Sequence, residues 1–456
     1  MRTLIFLGVG ASLCLAVGCE VRDGDGDGDA GAPNAGTAGN AGSPGGGAGG
    51  AAAGSGGSDA GGSGEAGADS GEAGADSGGE AGAGGGTGGG PVDCTDAETL
   101  PSAVSDDLEI GPGCVRINRT RVTGGATLTV APGTTVQMAA AGYLAIESSA
   151  LVSIGTEDEP IVFTSEAGSP QAGDWQCVHV DGGSSATEIR HTTFEYGGAG
   201  CLATGARYEG MLALAGAARA VSNSTFRHSV SHGVLFRSGG SVRGFDDNSF
   251  SDNARPSIRI AAPELLALGE RLEFADADDS IEVDTQFALG STGTWRAQPV
   301  PFRLVGKMDI NGTAEVTISA GTVLELTGNS FEVFNANLIV AGTESDPVVF
   351  TSSNANPMPG DWGCLLFSSA TGTPRIEHAI FEYAGSGAGC GGANTRAAVV
   401  VPAPTAITST TFREIAGLAI RTSGTCNTAV WCENTFESVM QGPLGCGSGG
   451  TPTACP

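Results

Sequence analysis

Twice the chain sets an aspartate, a tryptophan and a cysteine close behind a glycine: "AGDWQC" at 172–177 and "PGDWGC" at 359–364. A carboxylate can carry a proton, and a thiolate can attack carbon or bind a metal. Asp174 with Cys177, and Asp361 with Cys364, are therefore the first residues to weigh for chemistry. Five histidines add candidate bases and ligands: His179, His191, His228, His232 and His378. The densest acidic run, "FADADDSIEVD" at 274–284, brings Asp276, Asp278 and Asp279 together, the residue type that cation binding and general acid–base work both need.

The surroundings of these residues are themselves duplicated. "IGTEDEPIVFTS" at 154–165 returns as "AGTESDPVVFTS" at 341–352, and "IRHTTFEY" at 189–196 returns as "IEHAIFEY" at 376–383, both at the same offset. The Asp-Trp pairs obey that offset too. "STFR" at 224–227 returns as "TTFR" at 410–413, and "NSF" at 248–250 as "NTF" at 434–436, one position short of it. A scaffold that grew by duplication repeats its joints, whereas an enzyme seldom repeats a whole catalytic centre. His191 and His378 are repeat equivalents, as are Glu195-Tyr196 and Glu382-Tyr383, which reads as structural placement. His228 and His232 lie four apart in a strand-and-turn context, so they share no helical face. No Arg or Lys motif of the kind a lyase or a glycoside hydrolase uses stands beside the 274–284 run, and it reads as a solvated loop.

The elements that position these residues are short strands. Within the first half Phe226 precedes Phe250, and within the second Phe412 precedes Phe436, by one and the same interval. Between such marks lie "ATLTV", "YLAI", "IVFTS", "VHV", "GVLF", "EVTI", "VLEL", "VVFTS" and "LLF", separated by turn sequences such as "APGT" and "GTE". Only "PELLALGERL" at 263–272 suggests a short helix. A unit of that length has room for two or three strands and cannot bury its inward face alone, so units must stack. Inward positions are expected at Leu128, Val130, Leu144, Ile146, Ile161, Phe163, Val348 and Phe350.

"GGATLTVAPGTTVQM", "GTAEVTISAGTVLEL", "TEDEPIVFTS", "GDWQCVHV", "GDWGCLLF" and "TTFEYGG" resemble the rungs of right-handed parallel β-helix, pectin-lyase-like domains of bacterial surface and secreted proteins. The resemblance covers roughly residues 110–440 and implies an all-β, right-handed parallel β-helix solenoid in two duplicated halves, 91–285 and 286–456. Relatives of this architecture include lyases, polysaccharide hydrolases and adhesins, so fold alone does not choose a function. In such a solenoid, Gly-Asp becomes a turn between rungs. Cys177 and Cys201, and likewise Cys364 and Cys390, fall about one rung apart, within reach of a bridge. The chain has 12 cysteines. Setting aside Cys14 and Cys19 leaves ten, an even number that suggests disulfides in an exported protein. Cys94 would join Cys114, and Cys426, Cys432, Cys446 and Cys455 would close the C-terminal end in a pairing the sequence leaves open. No Cys-x-x-Cys pair supports zinc.

The first residues, "MRTLIFLGVGASLCLAVGCEVR", open on one basic residue and an apolar stretch too short to span a bilayer. "LAVGC" resembles the lipobox of bacterial lipoproteins, with Ala16 where that family prefers Leu. The resemblance implies a signal peptide at 1–18, a lipidated Cys19, and an outer-membrane or surface location, since Glu20 rather than Asp follows. Residues 23–90 contain no Leu, Ile, Val, Met or aromatic residue. They cannot offset chain entropy by burial, so 19–90 is expected to be a disordered acidic tether, spanning roughly 45 Å. Its "DGDGDGD" has Asn34 where a calcium loop needs Glu. The net charge of −29 argues against nucleic acid as a partner. The expectation is therefore a lipid-anchored rod that binds glycan or a surface protein, with no catalytic residue, metal or cofactor assigned. The alternative is a polysaccharide lyase or glycoside hydrolase on the same scaffold.

Overall fold

The computed structural model describes residues 94–456 apart from 183–185, 202–208, 219, 255, 388–389 and 391–395. Cys19 and the tether lie outside the described residues. The strands wind as a parallel β-helix. One turn runs through Ile161–Ser165, Cys177–Asp181 and Glu188–Arg190, and Thr192–Glu195 then lies on Ile161–Ser165. These three strands belong to three stacks, here sheets 1, 2 and 3. Among the described residues every strand pairing is parallel except the terminal hairpin of Leu444–Cys446 with Thr451–Thr453.

Alternation explains the strands. Every second position points inward, and the expected inward residues Leu128, Leu144, Ile146, Ile161, Phe163, Val348 and Phe350 are fully buried, with Val130 at 2% exposure. Stacking puts like on like. Phe163, Phe194, Phe226, Phe250 and Phe274 form one column in sheet 1, with ring centroids 4.9, 5.3, 5.4 and 5.1 Å apart. That spacing is close to the distance between hydrogen-bonded strands. Asn248 is a buried polar member of the pile. Its Oδ1 accepts from Ser224 N at 3.1 Å and its Nδ2 donates to Val221 O at 2.9 Å. Asn434, its repeat equivalent, does the same with Thr410 N and Ile407 O, both at 2.9 Å. The "PELLALGERL" segment forms a 3₁₀ helix at Ala262–Ala267 and then the strand Leu272–Phe274.

The two copies stack, but not face on matching face. The second copy has its own phenylalanine column, Phe350, Phe381, Phe412 and Phe436. By sequence it is the counterpart of sheet 1. By pairing it continues sheet 2: Ile258–Ala261 carries Ile281–Asp284, then Phe302–Val305, Val323–Leu326 and Val348–Ser352. Sheet 1 of the first copy ends at Leu272–Phe274, which among the described residues pairs with the strand before it and no later one. Equivalent motifs of the two copies therefore stand on different stacks of strands.

Candidate functional site

The duplicated Asp-Trp-Cys resolves into a joint built the same way twice. Asp174 Oδ2 accepts from Ser165 Oγ at 2.6 Å and from Gln171 N at 3.0 Å. Asp361 Oδ2 accepts from Ser352 Oγ and Met358 N at the same two distances. Partial burial works to raise the Asp361 pKa, but donors from Ser352, Met358 and Asn354 outweigh it and hold the carboxyl below its ordinary value. Trp175 and Trp362 are fully buried and donate Nε1–H to Glu195 O and Glu382 O, each at 2.8 Å. The glycine in front is needed: Gly173 and Gly360 have φ of +90° and +89°. Both carboxylates are spent on closing the turn that precedes the next strand.

The ten cysteines pair as Cys94–Cys114, Cys177–Cys201, Cys364–Cys390, Cys426–Cys446 and Cys432–Cys455. Each closes a loop of about one rung, a constraint of about 2–4 kcal/mol in the chain-entropy account. Five disulfides place the folded chain in an oxidising compartment.

The histidines are scattered. His191 and His378 have φ of +44° and +48° at equivalent corners just before a strand, where their carbonyls accept from Ile161 N and Val348 N. His232 is buried and its Nδ1 bonds the Pro256 carbonyl at 2.6 Å. His228 stacks on Tyr196, ring centroids 5.0 Å apart. His179 is fully buried, and burial lowers its pKa against the pull of Asp181. Among the described residues no group of three or more His, Cys, Asp or Glu is arranged to hold a metal ion.

The acidic run departs from its sequence reading. Only its middle is a loop; Ile281–Asp284 is a strand, with Ile281 and Val283 inward. Asp276 Oδ2 accepts from Asp252 N at 2.9 Å, and Asp279 Oδ1 accepts from Ser257 N at 2.9 Å, so both tie one rung to the one before. Cations do stand beside it. Arg259 reaches Glu282 at 3.3 Å and Asp284 at 3.2 Å, and Arg303 lines a cleft with Asp252, Asp276, Asp278 and Asp279. Sequence reading missed them because neighbours along the rod are about one rung apart in the chain.

The same face of sheet 2 forms a shallow groove of about 370 Å³ lined by Glu209, Leu235, Arg237, Arg259, Asp284, Gln286 and Phe287 among others. Phe287 is 51% exposed. Glu209 also lines a second hollow with Gly173, Gly198, Val230 and Ser231, so the concavity extends along the rod. Strand pairing brings these side chains together from successive rungs, and no local motif announces them.

Beside this groove, half-buried Glu264 on the 3₁₀ helix has its pKa pushed up to about 7 by burial, against the Gly239 N–H that favours its charge. Its ordinary value is 4.5. The folded state thus holds a proton that the unfolded chain releases. The contribution to stability is complete below pH 4.5 and is lost as pH rises towards 7. Discounted for solvent, the loss is about 1–2 kcal/mol. Glu264→Gln is expected to match the native protein in urea unfolding at pH 4 and to exceed it by that amount at pH 8. Equal stability of the two at pH 8 would contradict the assignment.

No curated protein and no solved structure matches the chain. Residues 117–201 and 292–395 match the family model of the pectate-lyase-like β-helix domain. The two matches fall in the two copies, and the parallel stacks with their inward columns are the geometry that family name describes; the chain contains a parallel β-helix domain, similar in each copy to the pectate-lyase-like β-helix domain.

Proposed function

We propose that this is an exported, non-catalytic binding rod that holds a glycan in the groove on sheet 2, where the first copy meets the second. The supporting observation is the lining: an exposed Phe287 ring beside Arg237, Arg259, Asp284, Gln286 and Glu209. An apolar platform with hydrogen-bonding groups around it suits a sugar ring, which has apolar faces and a hydroxyl rim. Cations and carboxylates balance within the groove, and the chain as a whole is acidic, so neutral glycans fit better than acidic ones. Glycan-array binding by the full chain is expected, with Phe287→Ala weakening it by about tenfold. Binding unaffected by this change would remove the groove from the proposal.

Cleavage is the second reading, favoured by Arg303 beside Asp276, Asp278 and Asp279. Release of new chain ends from neutral or acidic polysaccharides, with or without calcium, and abolished by Asp276→Asn, Asp278→Asn or Asp279→Asn, would establish it over the first. We further propose that Cys19 is acylated and that residues 19–90 tether the rod at the outer membrane or cell surface. Cys19→Ser should then move the protein out of the membrane fraction or leave it uncleaved; unchanged processing and fractionation would rule the anchor out.

A further inference from the structure

The sheet that runs from the first copy into the second carries an outward line of charge. Strand register aligns Arg259, Glu282, Arg303, Glu325, Thr351, Glu382, Arg413 and Glu437 in succession. Within the chain Arg303 Nε lies 3.0 Å from Glu325, Thr351 Oγ1 donates to Glu382 at 2.8 Å, and Arg413 pairs with Glu382. The arginines lie over the glutamates: Arg303 and Arg413 are 41% and 45% exposed, and Glu325 and Glu382 are 19% and 11%. Beside this line runs a second one, Val323, Val349 and Ile380, each half-buried and outward.

We propose that this face pairs with the same face of a second copy of the chain, with the two rods antiparallel. The charge order selects the arrangement. Read forwards the line is plus, minus, plus, minus, neutral, minus, plus, minus; read backwards it opposes itself, minus to plus, at every charged pair. A two-fold axis parallel to the strands, lying between the Glu325 and Thr351 rungs, sets Arg259 against Glu437, Glu282 against Arg413, Arg303 against Glu382, and Glu325 against Thr351. It also sets Val323 against Val349. Sliding the second copy by one rung puts Arg259 on Arg413 and Glu282 on Glu382, so like charges meet. An isologous contact of this kind closes at two subunits. Exposed ion pairs add little energy each, so the charges choose register and partner while the β-branched line supplies apolar contact.

The test is sedimentation velocity of the full chain carrying Cys19→Ser, so that no acyl chain drives association, from about 1 to about 200 µM. Circular dichroism establishes that each variant folds. With the ladder residues unchanged, a dimer should form at the upper concentrations. Arg303→Glu and Glu382→Arg should each weaken it at least about tenfold, and the double variant should recover to within about threefold of the unchanged ladder. Inside one chain the double variant is the worst case. It sets a new carboxylate against Glu325 and a new guanidinium against Arg413. Recovery therefore reports contact between copies. A monomer throughout, a dimer indifferent to the single changes, or a double variant no better than the singles would overturn the proposal.

Discussion

Trp175→Ala is expected to destabilise the protein by about 3–5 kcal/mol, the range for removing a large buried aromatic. Trp175 is fully buried and is the plug of the first sheet 1 to sheet 2 turn. The indole lies directly on Gly197, where an added Cβ would sit 2.6 Å from the ring, so this backbone is shaped around the side chain. Removing the ring leaves a cavity and leaves Glu195 O without its Nε1 donor. Trp175→Phe keeps most of the volume and loses the hydrogen bond, so it should cost about 1–2 kcal/mol. Trp362→Ala should repeat the first result, because its burial and its bond to Glu382 O are the same. The joints lie in different copies, so the two losses should add. Urea unfolding followed by tryptophan fluorescence and circular dichroism measures all of them. A cost below about 1 kcal/mol for Trp175→Ala would show that the turn closes without its plug.

Phe226→Ala is expected to cost about 3–5 kcal/mol, whereas Phe436→Ala should cost about 1–2 kcal/mol. Phe226 is fully buried between Phe194 and Phe250, at 5.3 and 5.4 Å. Phe436 ends its column, stacked on Phe412 at 5.7 Å, and is only half-buried. In a solenoid each rung touches only its neighbours, so a hole in the middle weakens two interfaces and a hole at the end weakens one. Hydrogen exchange should lose protection around Thr192–Glu195 and Asn248–Ser251 in Phe226→Ala and only in the last rungs of Phe436→Ala. Equal costs at the two positions would contradict the columnar account.

Much of the fold was legible in residues 110–440 because it is made of short-range regularities. Alternation marked Ile161 and Phe163 as inward, turn chemistry separated the strands, and recurrence at a constant offset exposed the duplication. The reading of Asp174 and Asp361 as turn residues rested on the same recurrence, and their bonds to Ser165 and Ser352 are how they close the turn. What the amino-acid order could not display was which rung lies on which. The counterpart of sheet 1 continues sheet 2, because among the described residues Leu272–Phe274 carries no further strand while Ile281–Asp284 accepts Phe302–Val305. No local propensity marks that choice; at the seam Trp295 is fully buried, its ring packed against Phe302 and Phe331. Stacking of rungs sets Arg259 beside Asp284, gathers Glu209, Arg237 and Phe287 around one groove, and aligns Arg303 with Glu325 in a ladder. Sequence alone determines the strands, the turns and the duplication, because strands and turns depend on residues a few positions apart and a duplication is a property of the order itself. Tertiary structure decides the groove and the charged face, because each depends on residues one rung or more apart that only stacking brings into contact.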